Sequence, residues 1–288
     1  MCAESIQDSN TISQIELDRR IFRRKQTTKS VFISIISLLI FAAVIFLILS
    51  NSKGWSIVQE MYFSPKHLVA SFPKVLRGIL MNIRILCFAV VGVAILSTLV
   101  AITRTTRSAI LFPLRFIANI YTDLFRGMPM IIVLYLIGFG IPGLGIFGRI
   151  SPVILGTISI IIVYSAYVSE VIRAGIEAVH PSQRAAARSL GFSHGKTMRL
   201  IILPQAIRKI VPALMNDFVA MQKDVGLVSI LGVVDAVRSA SIYTAVHFNY
   251  SSYVVAAILF ILMSLPFIRI TDWYTAKLRR REQMEGTV

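Results

Sequence analysis

Charged residues are scarce in this chain of 288 residues, because Asp, Glu, Lys and Arg together make up only 15% of it. A soluble globular protein carries about 25%. Cysteine is scarcer still, since the sequence has only Cys2 and Cys87, and this excludes a disulfide scaffold. The apolar share of 56% excludes a disordered or collagen-like chain, so the composition is typical of a membrane protein.

Acidic residues are the rarer charge, with 14 Asp and Glu against 30 Lys and Arg, which gives a net charge of +16. In a soluble protein this excess predicts a nucleic-acid partner. In a membrane protein the same excess arises because cytoplasmic loops collect Lys and Arg. The positions of the basic residues decide between these two interpretations.

Long apolar runs predict an all-α membrane protein with six transmembrane helices, because about 20 apolar residues cross the hydrocarbon core of a bilayer. The predicted spans are residues 31–50, 85–102, 128–146, 151–169, 210–234 and 253–268. The third is irregular, since Pro129 opens it and glycines recur from position 138 to 145. Only residues 128–139 are expected to form an unbroken helix. The sequence leaves open whether this span begins earlier, near Phe116, or dips and turns.

The first apolar run, 31–50, is longer than the apolar core of a signal peptide and follows thirty mostly polar residues. We therefore expect an uncleaved anchor helix that precedes a core of five spans.

The basic residues predict which segments face the cytoplasm. Twenty-one of the 30 Lys and Arg residues precede the first span, follow the second or sixth, or lie between the fourth and fifth, whereas six lie in the opposite loops. Both termini are therefore expected in the cytoplasm. The predicted organisation is a basic cytoplasmic tail (1–30), the anchor helix (31–50), an extracytoplasmic linker (51–78), a helical core (79–272) with a cytoplasmic loop at about 179–209, and a second basic cytoplasmic tail (273–288).

Motifs of enzymatic chemistry are matched only superficially. Residues 138–143 have the glycine spacing of a dinucleotide-binding turn, but Pro142 disrupts it and no acidic residue occurs between 126 and 169. Residues 191–197 resemble a phosphate-binding loop that is one residue too short. The four histidines lack metal-ligand spacing, at positions 67, 180, 194 and 247. We therefore expect no enzyme active site, no metal and no cofactor bound by this chain.

The segment between the fourth and fifth spans has the pattern of two short helices. Pro181 suits the first turn of a helix, and residues 182–190 are good helix formers. Gly191 is expected to end this helix, and Ser193 to cap a second helix over 194–203. The residues leave two functions open, a connecting helix on the membrane surface or a helix that lies in a groove of another protein.

The order of residues in this segment resembles the EAA loop of permease subunits of ABC importers. The family pattern is Glu-Ala-Ala, three residues, Gly, nine residues and Ile-x-Leu-Pro, and this chain has alanine at the Glu position. The residues that the resemblance assigns to an ATPase-coupling loop are Ala185, Ala186, Ala187, Arg188, Gly191, Ile201, Leu203 and Pro204.

Three further segments resemble the polar amino-acid (histidine/glutamine) branch of these permeases. Residues 124–129 look like the Arg-Gly-x-Pro signature, 165–179 like the segment before the EAA loop, and 216–224 like the span after it. The resemblance runs from about Asn82 to Trp273, and it implies a type I importer fold with five core helices, here preceded by the anchor helix.

The resemblance also implies a function and partners. The chain is expected to be the permease subunit of a binding-protein-dependent ABC importer that carries a polar amino acid inward across a bacterial inner membrane. Two ABC ATPase subunits would bind ATP and Mg, and a second permease, identical or homologous, would complete the pore. An extracytoplasmic solute-binding protein would deliver the substrate. Nucleic acid is not an expected partner, because the loops are too short for a basic binding domain.

Ionisable residues inside a span are costly, so they suggest a function. The candidate residues of a translocation path are the ionisable Lys223 and Asp224 and the uncharged Asn216 and Gln222. The alternative is a structural ion pair or a hydrogen bond to a neighbouring helix, and the sequence leaves both functions open. Asp123 and Arg126 are one helical turn apart, as are Glu170 and Arg173, so both pairs are expected, with Pro129, to anchor their spans.

A stand-alone secondary transporter or channel for a small polar solute is the alternative function. Such proteins commonly contain inverted repeats with broken helices. The irregular third span favours it, whereas the single copy of each motif argues against it.

Overall fold

The computed structural model describes residues 14–106, 108–146 and 148–285, and this part of the chain contains helices and no strand. Residues 1–13 of the predicted basic tail and 286–288 of the second tail lie outside it. The helices are α1 (Gln14–Ser50), α2 (Trp55–Phe63), α3 (Pro65–Thr105), α4 (Phe112–Gly127), α5 (Met130–Tyr135), α6 (Ile141–Gly143), α7 (Pro152–Glu177), α8 (Pro181–Ser189), α9 (His194–Thr197), α10 (Leu203–Asp224), α11 (Ala236–His247) and α12 (Ser251–Glu285).

Four stretches of helix in the described residues are long and apolar enough to cross a membrane, and two bent helix pairs raise the number to six if each pair is one span. The four are Lys25–Ser50, Trp55–Thr105, Pro152–Glu177 and Ser251–Leu278. The bent pairs are Phe112–Gly127 with Met130–Gly143, and His194–Leu231 with Ala236–His247. The prediction of an all-helical membrane protein is confirmed, with four to six spans.

The chain divides into two compact units, residues 1–60 and 61–288. The first contains α1, which begins well before the predicted start at residue 31. The second contains α3 to α12. The predicted linker 51–78 is helical over most of its length, because α2 and the first part of α3 lie in it. Proline at the first position of α3 has the backbone angle that starts a helix.

The largest apolar cluster of the second unit joins α3, α5, α7 and the segment after α10. Ile85, Ile160 and Val225 are among its most buried members. Glycines allow the helices to approach closely, since a Cβ at Gly92 would overlap Ile161 and one at Gly156 would overlap Val228. The helix α7 is central to this cluster, and its last turn leads into the 178–209 loop.

A second apolar cluster joins the start of α3 to α11 and α12. Its buried members are Val75, Ile79, Ala236, Ala240, Val255 and Ala256. This packing extends α3 far beyond the predicted start of its span at residue 85. The helix α11 was not predicted at all, because the predicted fifth span ended at residue 234 and the sixth began at 253.

The third predicted span has a bend at its start and is continuously helical after the bend. The axes of α4 and α5 differ by 110°, and the bend lies at Met128 and Pro129. Met128 has φ −96° and ψ 136°, since proline excludes the helical conformation from the residue before it. The expected end of the helix at Phe139 is wrong. A π-helical turn, Leu136–Gly140, leads directly into α6, and within it a Cβ at Gly138 would overlap the side chain of Leu231.

The second unit has two ends, which are formed by different helices. The loop end is where α3 and α7 end and α10 begins. The far end comprises the start of α3, α11 and the start of α12. Backbone groups join its parts, because Ser64 N donates to Ser251 Oγ at 3.2 Å and Tyr250 N donates to Met61 O at 2.8 Å.

Candidate functional site

The helix α8 begins where the sequence predicts. Pro181 is its first residue, and the imidazole of His180 caps it, since Nδ1 accepts a hydrogen bond from Ser182 N at 3.3 Å. A histidine is an unusual residue at this position, so the sequence did not identify the cap.

The end of α8 is closed by a pair of backbone hydrogen bonds around Gly191. This residue has φ +80°, a conformation that glycine adopts without steric cost. Gly191 N donates to Arg188 O at 3.0 Å, and Phe192 N donates to Ala187 O at 3.1 Å. This is the Schellman arrangement that satisfies the last carbonyl groups of a helix. Gly191 therefore fixes the direction in which the chain leaves α8.

The second helix of the loop starts as predicted but does not end at Pro204. Ser193 caps it, because its Oγ accepts from Lys196 N at 3.4 Å. The helix then continues through a π-helical turn, Met198–Ile202, into α10. Leu203 N donates to Met198 O, five residues back. We infer that the wider turn accommodates the proline ring, which would clash with a carbonyl group in a regular helix.

The predicted coupling residues divide into an inner and an outer set. Ala187 is 1% exposed and faces the protein. Ile201 and Leu203 pack, half-buried, against a cluster that contains Ile176 and Val179. The outer set is exposed and consists of Ala185, Ala186, Arg188, Gly191 and Pro204. Leu190 is also exposed, to 74%, so α8 presents a shallow, partly apolar surface.

The predicted anchor Glu170 is the centre of an ion-pair network at the loop end. Arg104 Nη1 lies 2.7 Å and Arg173 Nη2 lies 2.6 Å from its carboxylate oxygens. Arg173 also pairs with Glu177 at 2.6 Å. The network joins α3 to α7, and the side chain of Arg104 is only 9% exposed. The sequence indicated the Glu170–Arg173 pair but not the contribution of Arg104.

The second predicted pair is not formed. Asp123 is exposed and makes no ion pair among the described residues, whereas Arg126 Nη1 lies 3.9 Å from Glu170. Helical spacing brings residues together only if their rotamers converge, and Arg126 reaches toward α7 instead. Pro129, the remaining predicted anchor, stands at the start of α5.

The four candidate path residues on α10 have different surroundings. Gln222 is fully buried and donates from Nε2 to Ser264 Oγ at 2.7 Å. Asp224 accepts from Tyr164 Oη at 2.8 Å. Asn216 and Lys223 are exposed. The structure therefore separates them into two residues that bind α7 or α12 and two that do not.

Two buried polar atoms near these residues lack a hydrogen-bond partner among the described residues, Asp217 Oδ2 and Gln222 Oε1. Burying such atoms unpaired is costly. Asp217 is an ionisable residue of the same predicted span but was not one of the four candidate path residues. At this part of α10, a ligand could donate hydrogen bonds to these two oxygen atoms.

A buried contact between Asn82 and Asp235 was not predicted from the sequence. Asn82 Nδ2 donates to Asp235 Oδ2 at 3.0 Å, and Asn82 Oδ1 accepts from Ala236 N at 3.1 Å. Asp235 Oδ1 accepts from Arg238 N at 2.8 Å, so Asp235 caps α11. An aspartate before a run of helix formers is a recognised start signal and could have predicted α11.

Comparisons with known proteins agree with the resemblance seen in the sequence. The chain is 36% identical over 188 residues to a putative glutamine transport system permease protein of Rickettsia typhi, which covers 64% of this chain and 84% of that protein. It is 32% identical over 182 residues to the arginine transport system permease protein of Bacillus subtilis, which covers 63% of this chain and 81% of that protein.

A solved structure, described as an amino acid ABC transporter with histidines, superposes with a TM-score of 0.67 at 34% identity, over 73% of this chain and 96% of that one. Residues 108–280 match the family described as the binding-protein-dependent transport system inner membrane component. These residues include both the 178–209 loop and α10. The chain therefore belongs to the family of inner membrane components of binding-protein-dependent transport systems.

Proposed function

We propose that this chain is one of two permease subunits of an ABC importer that carries a polar amino acid inward, driven by ATPase subunits on the cytoplasmic side. Family membership supports the transport role, and the names of the relatives support the amino-acid substrate. The basic 178–209 loop supports a cytoplasmic position of the loop end.

The observation that carries this proposal is the shape of α8. Its outer surface combines small alanines with the exposed Leu190, and its inner surface, at Ala187, packs on the protein. A short helix of this kind fits a groove of a partner protein. Only residues 178–180 separate α8 from α7, which belongs to the apolar core, so a force on α8 acts close to the spans.

In this proposal the ATPase subunits bind ATP and Mg, and this chain supplies their docking site and the moving spans. A solute-binding protein outside the cytoplasm delivers the substrate to the far end. ATP binding would bring the ATPases together, displace both coupling helices and open the path on the other side of the membrane.

The candidate path follows α10. Asn216 and Lys223 are exposed in this chain, where they could face the second permease across the path. Asp217 and Asp224 supply carboxylates that could receive the ammonium group of an amino acid, and Lys223 could meet a carboxylate. Alanine at position 185 cannot make the charged contact that the family Glu could make with an ATPase. Coupling would then be asymmetric if the second permease carries the Glu.

The coupling role predicts a specific effect of Gly191→Val. A β-branched side chain at φ +80° is strained by about 1–2 kcal/mol, so the end of α8 must rearrange. We expect ATP-dependent uptake in proteoliposomes to fall by about tenfold or more, while the amount of protein in the membrane stays the same.

Gly195→Val is the matched control, because a Cβ at either glycine meets open space and only Gly191 has positive φ. Normal uptake by the Gly191→Val variant would contradict the coupling assignment. Uptake that proceeds without ATPase subunits, driven by an ion gradient, would favour the stand-alone transporter instead.

A further inference from the structure

The connection between α7 and α8 is short, residues 178–180, and two basic side chains bridge it. Arg184 of α8 donates from Nη2 to Ile176 O at 3.0 Å. Lys209 of α10 donates from Nζ to Ala178 O at 2.9 Å. Both bonds end on carbonyl groups at the end of α7, where a helix has no partners of its own for them. We call Arg184 and Lys209 the α7 clamp.

The clamp does more than a local helix cap. A basic residue near the end of a helix commonly binds its last carbonyl groups. Here the two donors lie 8 and 31 residues further along the chain, on two other helices, so each bond also joins two helices. Arg184 Nε is buried without a hydrogen-bond partner among the described residues. Because an unused buried donor is costly, stability alone does not account for the position of this guanidinium group.

The packing around the clamp brings the same helices together. Ile176 and Val179 form a buried cluster with Ile202 and Ala206. A Cβ at Gly175 would overlap Ile210, so α7 and α10 are in close contact directly before the connection. The end of α7 and the start of α10 thus form one packed block, and Arg184 ties α8 to it.

We propose that Arg184 and Lys209 are positioning residues that lock α8 to α7 and α10, so that a displacement of α8 moves both helices. This inference rests on the proposed function of α8 as a coupling helix. Without the clamp, α8 would keep the packing of Ala187 but lose both hydrogen bonds at the end of α7, so residues 178–180 would bend more readily. The coupling helix would then move with the ATPase while the spans stay behind, and ATP would be hydrolysed without transport.

The test measures how many ATP molecules are hydrolysed for each amino acid transported by the full complex in proteoliposomes. Arg184→Met and Lys209→Met are expected to raise this ratio about tenfold, because each loses a hydrogen bond made by a charged group. Arg208→Met is the matched control, since Arg208 is an exposed neighbour of Lys209, and it should leave the ratio unchanged. Lys209→Arg should restore part of the coupling, because it keeps a charged donor.

An unchanged ratio in assembled complexes of both Met variants would overturn the clamp. Failure of Lys209→Met to assemble with the ATPase would overturn it too, because the residue would then have a role in folding. Absence of ATP-dependent uptake by the wild-type complex would instead overturn the proposed function. The two failures are therefore distinguishable.

Discussion

The loop end and the far end of the second unit are held together by different kinds of contact. At the loop end, three arginines from α3, α4 and α7 surround the carboxylate of Glu170. At the far end, hydrogen bonds of side chains contribute instead, such as His67 with Tyr243 and Asn82 with Asp235, and no ion pair joins α3 to α11 among the described residues.

The type of contact determines how each end responds to movement. Ion pairs remain attractive over several ångströms, as the 3.9 Å separation of Arg126 and Glu170 illustrates. Hydrogen bonds between short side chains weaken steeply once distance or angle departs from the optimum. At the loop end, α3, α4 and α7 can therefore shift relative to one another without losing the ion pairs of Glu170. The far end holds α11 in a single register on α3.

Asp235→Ala should have the largest effect on stability, about 3 kcal/mol. The substitution leaves Asn82 Nδ2 and Arg238 N unpaired in a region that is fully buried around Asp235, and it removes the cap of α11. The midpoint of thermal unfolding of the purified protein measures the loss. Asp272→Ala, at an exposed position of α12, is the control. Equal midpoints for the two variants would show that the far end does not depend on this contact.

Glu170→Gln should cost about 2 kcal/mol, because Arg104 and Arg173 lose their anionic partner while they stay partly buried. Glu177→Gln should cost about 0.5 kcal/mol or less, since Glu177 is mostly exposed and pairs only with Arg173. Thermal unfolding is again the measurement.

The contacts at the two ends should also differ in how strongly they depend on salt. At 1 M ionic strength the screening length falls to about 3 Å. The difference between the wild type and Glu170→Gln should shrink under these conditions, whereas the difference for Asp235→Ala should not. A constant difference for both would show that the two ends are held by the same kind of contact.

Tyr243→Phe should have a smaller effect at the far end than Asp235→Ala, about 1 kcal/mol, because it removes one hydrogen bond, 2.9 Å long, to His67 Nδ1. The ring would still stack on His247. Tyr250→Phe is the control, since that ring stacks on Tyr62 without a hydrogen bond from its hydroxyl group among the described residues. Equal midpoints for Tyr243→Phe and Tyr250→Phe would show that the hydrogen bond to His67 does not stabilise the far end.

Local chemistry made the 178–209 loop predictable. Pro181, Gly191 and Ser193 each act through the backbone of their own turn, so their neighbours in the sequence are sufficient to place them. The π-helical turn before Pro204 was not predicted, because a proline at this position is equally typical of a helix that ends before it.

Contacts between residues that are far apart in the sequence could not be predicted from it. Asn82 and Asp235 are 153 positions apart, and Lys209 is 31 positions from Ala178. No periodic pattern marks such pairs. The helix α11 was missed for a related reason, since its stability depends on the apolar side of α3, at Val75 and Ile79, more than on its own composition.

The π-helical turn Met198–Ile202 also determines how α10 is rotated about its own axis. Each residue of a helix advances about 100° around the axis, so one additional residue in a turn rotates all that follows. Deleting one residue there would leave every residue of α10 unchanged, yet it would turn Gln222 away from Ser264 and Asp224 away from Tyr164. The nine residues between Gly191 and Ile201 therefore set the rotational phase of α10 as well as its distance from α8.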